Sequence, residues 1–226
     1  MQDALDAAVS SIAGHRVSST AAGRTDRGVH ARLQVVHFDT DAQRPESAWV
    51  RGVNALLPEA VAVLWSRAVP DDFHARFSAT ARTYRYELVN RPVRAALCAP
   101  YVGWFHLPLD VEAMRAAAGY LVGEHDFSAF RSAECQAKTP VRTIHQLDIA
   151  REGERIDFVI RANAFLHHMV RNLVGTLVYV GKGKHPPEWA AEVLRSRERA
   201  RAAPTFGPEG LYLERIEYEN RWGLPS

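Results

Sequence analysis

The sequence predicts an α+β protein built from two similar α/β subdomains, and two observations carry this prediction. Each half of the 226-residue chain contains several strand-like runs crossed by a few amphipathic helices, which is typical of the α+β class. The dipeptide Arg91-Pro92 provides a break between the halves. We therefore expect one subdomain over residues 1–92 and a second over residues 93–226, each long enough to bury a core.

Apolar spacing and alternation place the elements within each half. In the first half we expect helices over residues 2–12 and 45–56, and strands over residues 16–21, 34–38, 61–69 and 79–90. In the second half we expect helices over residues 111–121, 165–180 and 187–196, and strands over residues 141–152, 155–164 and 210–218. We expect the strands over residues 141–152 and 155–164 to form a hairpin that turns at Gly153.

The composition restricts the class of protein. A hydrophobic content of 47% and a charged content of 24% are typical of a soluble globular chain. The net charge of +2 permits an anionic partner without requiring one. The two cysteines fit neither a disulfide framework nor a zinc site. With no apolar run of membrane length and no signal-peptide pattern, we expect a cytoplasmic protein without a membrane partner.

The stretch from Ala22 to Ala31, A-G-R-T-D-R-G-V-H-A, is the most informative feature of the chain. It places Asp26 between Arg24 and Arg27, and neighbouring cations keep a carboxylate ionised, as a nucleophile or a base requires. Gly23 and Gly28 allow a substrate to approach the main chain. Turn chemistry alone also selects Asp and Gly, so these residue types by themselves leave an ordinary turn open.

The longer string resembles the active-site motif G-R-T-D-x-G-V-H of the TruA-type tRNA pseudouridine synthases. Further segments match this family in order: V-P-D-D-F-H-A-R-F-S-A (69–79), A-R-T-Y-R-Y (81–86), G-E-H-D-F-S-A-F (123–130), F-L-H-H-M-V-R-N (165–172) and E-G-L-Y-L (209–213). The resemblance thus extends from the first residues nearly to the C-terminus.

The resemblance implies the pseudouridine synthase fold, with two α/β subdomains joined around a central active-site cleft. It further implies isomerisation of uridine to pseudouridine at positions 38, 39 and 40 of the tRNA anticodon stem-loop by a homodimer. No cofactor and no metal are expected. Family members normally begin with a strand and a Gly-Trp-Gln segment, whereas here Met1 leads directly into the first helix. We therefore expect the first sheet to lack its N-terminal strand.

By resemblance, three residues form the catalytic group. Asp26 is the nucleophile, and attack on the sugar, attack on the base and formation of a glycal all stay open to it. Arg171 supplies the counter-charge that a carboxylate needs in a closed pocket, since an arginine among apolar neighbours requires a partner. Tyr84 stacks under the extruded uracil, and its hydroxyl can handle the C5 proton. Tyr86 lies on the same strand face and is expected to pack in the core.

The resemblance also assigns the substrate contacts. Leu211 covers the target base, and Arg24 fills the space that a flipped base leaves, which offsets the cost of unstacking. RNA contacts are expected from Arg24, Arg44, Phe73, His74, Ala75, Arg76, Phe77, Glu134, Cys135, Gln136, Ala137 and Lys138. Binding through such residues would depend on salt, because phosphate neutralisation releases counterions.

Three other interpretations fit these residues less well. Adjacent histidines on a helix point in different directions, so His167 and His168 are expected not to bind a catalytic metal. An RNA-binding protein that has lost catalysis is disfavoured by the joint presence of Asp26, Tyr84 and Arg171. A carboxylate-nucleophile glycosidase would need a second carboxylate, for which Asp71 and Asp72 are candidates.

Overall fold

The computed structural model describes residues 1–225 and confirms the α+β class. Within these residues the α-helices are α1 (Gln2–Ala13), α2 (Glu46–Asn54), α3 (Val111–Gly119), α4 (Met169–Gly181) and α5 (Trp189–Ser196). The strands described there are β1 (Thr20–Ala21), β2 (His30–Ala31), β3 (Val36–His37), β4 (Ala79–Asn90), β5 (Gly103–Phe105), β6 (Gly123–Asp126), β7 (Val141–Glu152), β8 (Arg155–Ala162) and β9 (Leu211–Tyr218). Short 3₁₀ segments occur at Ser128–Phe130, Arg199–Arg201 and Asn220–Trp222.

The chain divides into two compact units, and each unit is discontinuous in sequence. The smaller unit contains Met1–Arg24, Gln34–Ala79 and the residues from Glu217 onward. The larger unit contains Thr25–Leu33 and Thr80–Ile216. Asp26 therefore belongs to the larger unit, although it lies early in the chain. The division at residue 92 stays a prediction.

The smaller unit has a helical core beside a two-stranded sheet. α1 and α2 bury Ala8, Val9, Trp49 and Val53 against each other, as the apolar spacing of both segments predicts. Gly14 ends α1 in a left-handed conformation, with φ +80°. β1 and β3 pair antiparallel.

The larger unit is organised around a seven-stranded mixed sheet. Its strand order is β2-β9-β4-β8-β7-β6, and β5 also pairs with β4. β6, β7, β8 and β4 form antiparallel pairs, whereas β2 with β9 and β5 with β4 are parallel. Tyr86 lies opposite Phe158 across β4 and β8, and both side chains are fully buried.

Three helices pack in the larger unit, and α4 is the most deeply buried of them. α3 packs on α4 and on β7, and α5 packs on α3 and α4. Along α4, every residue is buried except Arg171 and Tyr179. Those two side chains thus mark the two places where this helix reaches the surface.

The structure corrects several predicted elements. β4 and β7 have the predicted bounds, but the strand predicted over residues 16–21 shrinks to Thr20–Ala21. No strand is assigned over residues 61–69 in the described chain. There, the Asn54 side-chain amide hydrogen-bonds the backbone N–H of Val63 at 2.7 Å and its C=O at 2.8 Å. A side chain thus replaces a neighbouring strand as the partner of Val63.

No helix within residues 1–225 is both long and apolar enough to cross a membrane.

Candidate active site

Asp26 is carried by a tight turn whose shape requires glycine. The N–H of Val29 donates to the C=O of Asp26 at 3.0 Å, and Gly28 has φ +83°. A positive φ at the third residue of a turn is the type II pattern. A Cβ at Gly28 would also lie 3.0 Å from Cγ of Pro208. Gly23 does not adopt a positive φ, so the predicted use of glycine freedom applies to Gly28 alone.

The residues that follow the turn connect it to the sheet of the larger unit. β2, which follows the turn, pairs with β9 with His30 opposite Tyr212. Leu211, the first residue of β9, is buried and donates its N–H to Pro208 at 2.9 Å. Gly28, Pro208 and Leu211 thus lie in one connected region.

The prediction of a helix over residues 165–180 is wrong at its start. α4 begins at Met169, and His168 adopts a left-handed conformation with φ +62°. A left-handed residue cannot continue a right-handed helix. His167 and His168 therefore precede α4 and are not part of it. Asn and His are among the residues that tolerate the left-handed conformation best.

This backbone turn directs both histidines at the carboxylate of Asp26. Nε2 of His167 lies 3.1 Å from Oδ1, and Nε2 of His168 lies 3.1 Å from Oδ2. The two imidazole rings lie 4.0 Å apart between centroids. The expectation that these side chains point in different directions is therefore wrong. Sequence reasoning missed them because it placed both histidines on a helix.

Arg171 completes the set of donors around Asp26. Its Nη1 donates to Oδ2 of Asp26 at 3.4 Å, and its Nε donates to the C=O of Phe206 at 2.8 Å. The second hydrogen bond fixes the guanidinium plane, and a fixed fork costs less entropy when it binds a carboxylate. The structure thus brings together Asp26 and Arg171, as the sequence predicts, and places both in the larger unit.

The Asp26 carboxylate is fixed by its neighbours but stays partly accessible to solvent. Its side chain is 28% exposed, whereas that of Arg171 is 14% exposed. Burial lowers the pKa of His168, and the neighbouring His167 lowers it further, against the opposing effect of Asp26. The lowered pKa favours the neutral imidazole of His168. The hydrogen bonds to the carboxylate involve His167 and Arg171.

Tyr84 lies on β4 and contacts the segment that leads into α4. Its side chain is buried, and its ring meets that of Phe165 edge to face at 5.0 Å. Burial raises the pKa of Tyr84 to about 12, with Arg82 opposing and Asp26 adding to the rise. The hydroxyl thus stays protonated at neutral pH, in the electrostatic field of Asp26.

Tyr86 has a structural role. It is fully buried, and its hydroxyl donates to the C=O of Gly207 at 2.9 Å. A Cβ at Gly103 or Gly210 would collide with its ring. The expectation that Tyr86 packs in the core agrees with this burial.

The predicted RNA contacts divide into exposed and buried residues. Arg24, Arg44 and the segment 73–77 lie in the smaller unit, and residues 134–138 lie in the larger unit. Phe73, Ala75 and Cys135 are buried, so their side chains are poor candidates for direct contact. His74 packs against the exposed Phe77 at 4.3 Å. Cys135 accepts the N–H of His167 at 3.4 Å, which joins residues 134–138 to the Asp26 site.

A metal ion has one candidate position in the described chain. The ligand atoms of Asp26, His167 and His168 lie within 4.8 Å of one another, and two histidines with a carboxylate suit late transition metals. The Asp26 carboxylate already forms a hydrogen bond with His167 and lies 3.1 Å from Nε2 of His168, and the positive Arg171 is adjacent. The expectation that the reaction uses no metal stays a prediction, although the geometric reason given for it is wrong.

Comparison with known proteins identifies the family. A family model described as tRNA pseudouridine synthase matches residues 1–78 and 117–219. A tRNA pseudouridine synthase A of Methylobacillus flagellatus is 57% identical over 226 residues, which are all of this chain and 87% of the relative. Those of Nitrosomonas eutropha and Burkholderia thailandensis are 56% and 58% identical, over 82% and 83% of their lengths and all of this chain. The chain therefore belongs to the tRNA pseudouridine synthases, the isomerases that convert uridine in tRNA to pseudouridine.

Proposed function

We propose that this enzyme modifies uridines 38, 39 and 40 of the tRNA anticodon stem-loop and that Asp26 is its nucleophile. The observation that carries the proposal is the geometry around Asp26. Both carboxylate oxygens are held by N–H donors at 3.1–3.4 Å, while 28% of the side chain stays open to solvent. A nucleophile needs this combination of fixed orientation and access.

The reaction requires a rearrangement without net oxidation. The C1′–N1 bond of uridine breaks, C1′ bonds to C5 after the base has turned over, and the C5 proton leaves while N1 gains one. Asp26 takes part through one of its oxygens, and Arg171 balances its charge throughout. The protonated hydroxyl of Tyr84 offers a donor to the turning base, and the ring offers a face on which it stacks.

The remaining assignments concern the substrate. Leu211 covers the base from β9, and Arg24 takes the space of the flipped nucleotide. Arg44, Arg76, Phe77, Glu134, Gln136 and Lys138 supply exposed contacts to the RNA, and the half-buried His74 contributes beside Phe77. Ala137, which is partly exposed, completes the second of these segments.

We further propose that the enzyme works in the cytoplasm as a homodimer. In support, the connection between β4 and α3 exposes several apolar side chains of the larger unit. Leu97 is 99% exposed and Val93 is 71% exposed. Exposed apolar patches of this kind are typical of contacts with another chain. Sedimentation analysis tests this: we expect the parent to be a dimer and Leu97→Asp to dissociate into monomers. A variant that is as dimeric as the parent would show that Leu97 lies outside the dimer contact.

Mapping of pseudouridine on an unmodified tRNA transcript with uridines 38, 39 and 40 tests the main proposal. The parent protein is compared with Asp26→Asn and with Asp71→Asn, which removes the same charge from an exposed residue. We expect conversion at those positions by the parent and by Asp71→Asn, and none by Asp26→Asn.

Two other outcomes would replace the proposal. tRNA binding without conversion by any variant would indicate an RNA-binding protein. Release of free uracil, lost in Asp71→Asn or Asp72→Asn, would instead indicate a glycosidase.

A further inference from the structure

A surface cavity lies at the C-terminal end of α4, away from the residues that hold Asp26. Its volume is about 540 Å³, and it is lined by Tyr179, Lys184, His185, Trp189 and the segment Arg199–Pro204. None of the residues assigned above to catalysis or to RNA contact lines it. Within the described chain, its lining contains three cations and no carboxylate.

The cavity combines aromatic rings with one lysine, and a second lysine contacts one of these rings from outside the lining. Nζ of Lys182 lies 3.8 Å from the ring centre of Tyr179, and that of Lys184 lies 4.7 Å from it. The chain has only three lysines, and two of them meet at this ring. His185 stacks on Trp189 at 3.9 Å with 17° between the ring planes. Cations next to a flat aromatic surface are what single-stranded nucleic acid binds, through its phosphates and its bases.

The cations that line the cavity differ in whether other protein groups already bind them. Arg199 is occupied, since it donates to the C=O of Ala203 at 2.9 Å and to Oδ1 of Asn172 at 3.0 Å. Lys184 and Arg201 are exposed and make no ion pair among those of the described chain. Burial lowers the pKa of His185, and Lys184 and Lys182 lower it further, against the opposing effect of Glu192. The positive charge here therefore comes mainly from exposed, flexible side chains that an anion can attract.

The cavity and the Asp26 site lie in the same compact unit and are connected through α4. Tyr179 and Arg171, the two partly exposed residues of α4, are eight positions apart, or about 12 Å along the helix axis. The segment that walls the cavity continues to Phe206, whose C=O holds Arg171. Thr205, in the same segment, donates to Asn172 at 2.7 Å. A few nucleotides of a single RNA can reach from one site to the other.

We propose that this cavity is a second RNA subsite, which binds a phosphate and a neighbouring base of the tRNA outside the target uridine. The inference rests on the proposed function, because it needs tRNA as the substrate. Lys184 of the lining binds the phosphate, and Trp189 with His185 offers the stacking surface. Lys182, which lies outside the lining, adds positive charge beside Tyr179. A free nucleotide carries the same chemistry, but the 12 Å path along α4 favours a chain that occupies both sites.

Binding of tRNA measured against salt concentration tests the subsite. Lys184→Gln is compared with Arg195→Gln, which removes one charge from an exposed residue of α5 outside the cavity lining. Both changes are made in the Asp26→Asn protein, so that binding is measured without turnover. At physiological salt we expect Lys184→Gln to weaken binding about threefold to tenfold, and to reduce the slope of log K against log salt by about 0.7. Arg195→Gln should leave both unchanged.

Interference by phosphate ethylation locates the contact. With the Asp26→Asn protein, we expect one or two phosphates whose ethylation weakens binding, and whose effect disappears in the Lys184→Gln protein. Identical interference patterns, or equal binding of Lys184→Gln and Arg195→Gln, would overturn the subsite. So would competition by submillimolar uridine monophosphate, which would identify a site for free nucleotides. If the parent makes no pseudouridine, the proposed function fails independently of these binding results.

Discussion

The two ends of α4, a buried helix, present positive charge at the surface in different ways. At the N-terminal end, Arg171 is 14% exposed and bound to Asp26 and to the C=O of Phe206. At the C-terminal end, Lys182 and Lys184 lie over Tyr179, and Lys184 lines a cavity whose lining contains no carboxylate. A paired, rigid cation suits chemistry, since its geometry is preorganised. Exposed lysines suit affinity, since they can follow a phosphate backbone.

Removal of one charge at each end should separate these roles. We expect Arg171→Gln to lower the single-turnover rate of pseudouridine formation by about 10²-fold to 10³-fold, because a preorganised donor and the counter-charge of Asp26 are lost together. Lys184→Gln should act on the KM for tRNA. Rapid-quench measurement with enzyme in excess of tRNA checks the rate of Arg171→Gln. Steady-state measurement over a range of tRNA concentrations checks the KM of Lys184→Gln. A rate for Arg171→Gln within twofold of the parent would contradict the assigned role of the Asp26–Arg171 pair.

His168 allows a finer test at the N-terminal end. His168→Ala should lower the single-turnover rate about tenfold, since the polar ring nitrogen 3.1 Å from the charged carboxylate is lost. His168→Asn keeps a residue that tolerates the left-handed conformation and keeps an N–H donor. We therefore expect it to recover much of that loss. Equal rates for the two variants would show that the imidazole itself, and not a positioned N–H group, is required.

The turn at Gly28 can be compared with a second glycine of similar φ. Gly28 and Gly14 have φ values of +83° and +80°, but a Cβ meets Pro208 only at Gly28. Each change to alanine should cost about 1–2 kcal/mol of unfolding free energy through the left-handed backbone. Gly28→Ala should cost more, and it alone should reduce activity. Thermal unfolding and the conversion assay together measure this difference; equal effects would leave Pro208 without a role in positioning Asp26.

The smallest expected effect is the pH dependence of the unfolding free energy, to which histidines near both ends of α4 contribute. Burial lowers the pKa of His168 and of His185 below the usual 6.5, and it does the same for His37 in the smaller unit. The unfolded chain then binds more protons than the folded chain as the pH falls through 6.5. The unfolding free energy should therefore fall from about pH 7 toward about pH 5.5.

Chemical denaturation across that range measures the slope. His185→Gln should flatten it, and His168→Asn should flatten it as well, since each removes one group with a lowered pKa. A steeper slope in either variant would show that the parent histidine gains protons on folding.

The sequence alone determined the features that depend on neighbouring residues. The Thr- and Tyr-rich run 79–90 and the hairpin pattern around Gly153 gave the correct bounds of β4 and β7, because strand propensity and turn residues depend on the local sequence. The turn at Asp26 was evident from its glycine, and the resemblance to a family selected Asp26, Tyr84 and Arg171 from many residues of the same types.

Only the tertiary structure decided which side chains meet. His167 and His168 converge on Asp26 because His168 adopts a left-handed conformation and Met169 begins the helix, a choice that contacts from distant segments stabilise. Residues 61–69 have the pattern of a strand, but Val63 is bound by the side chain of Asn54. The cavity at Tyr179 joins α4, α5 and the segment 199–204. Local patterns report one element at a time, whereas these arrangements depend on how separate elements pack.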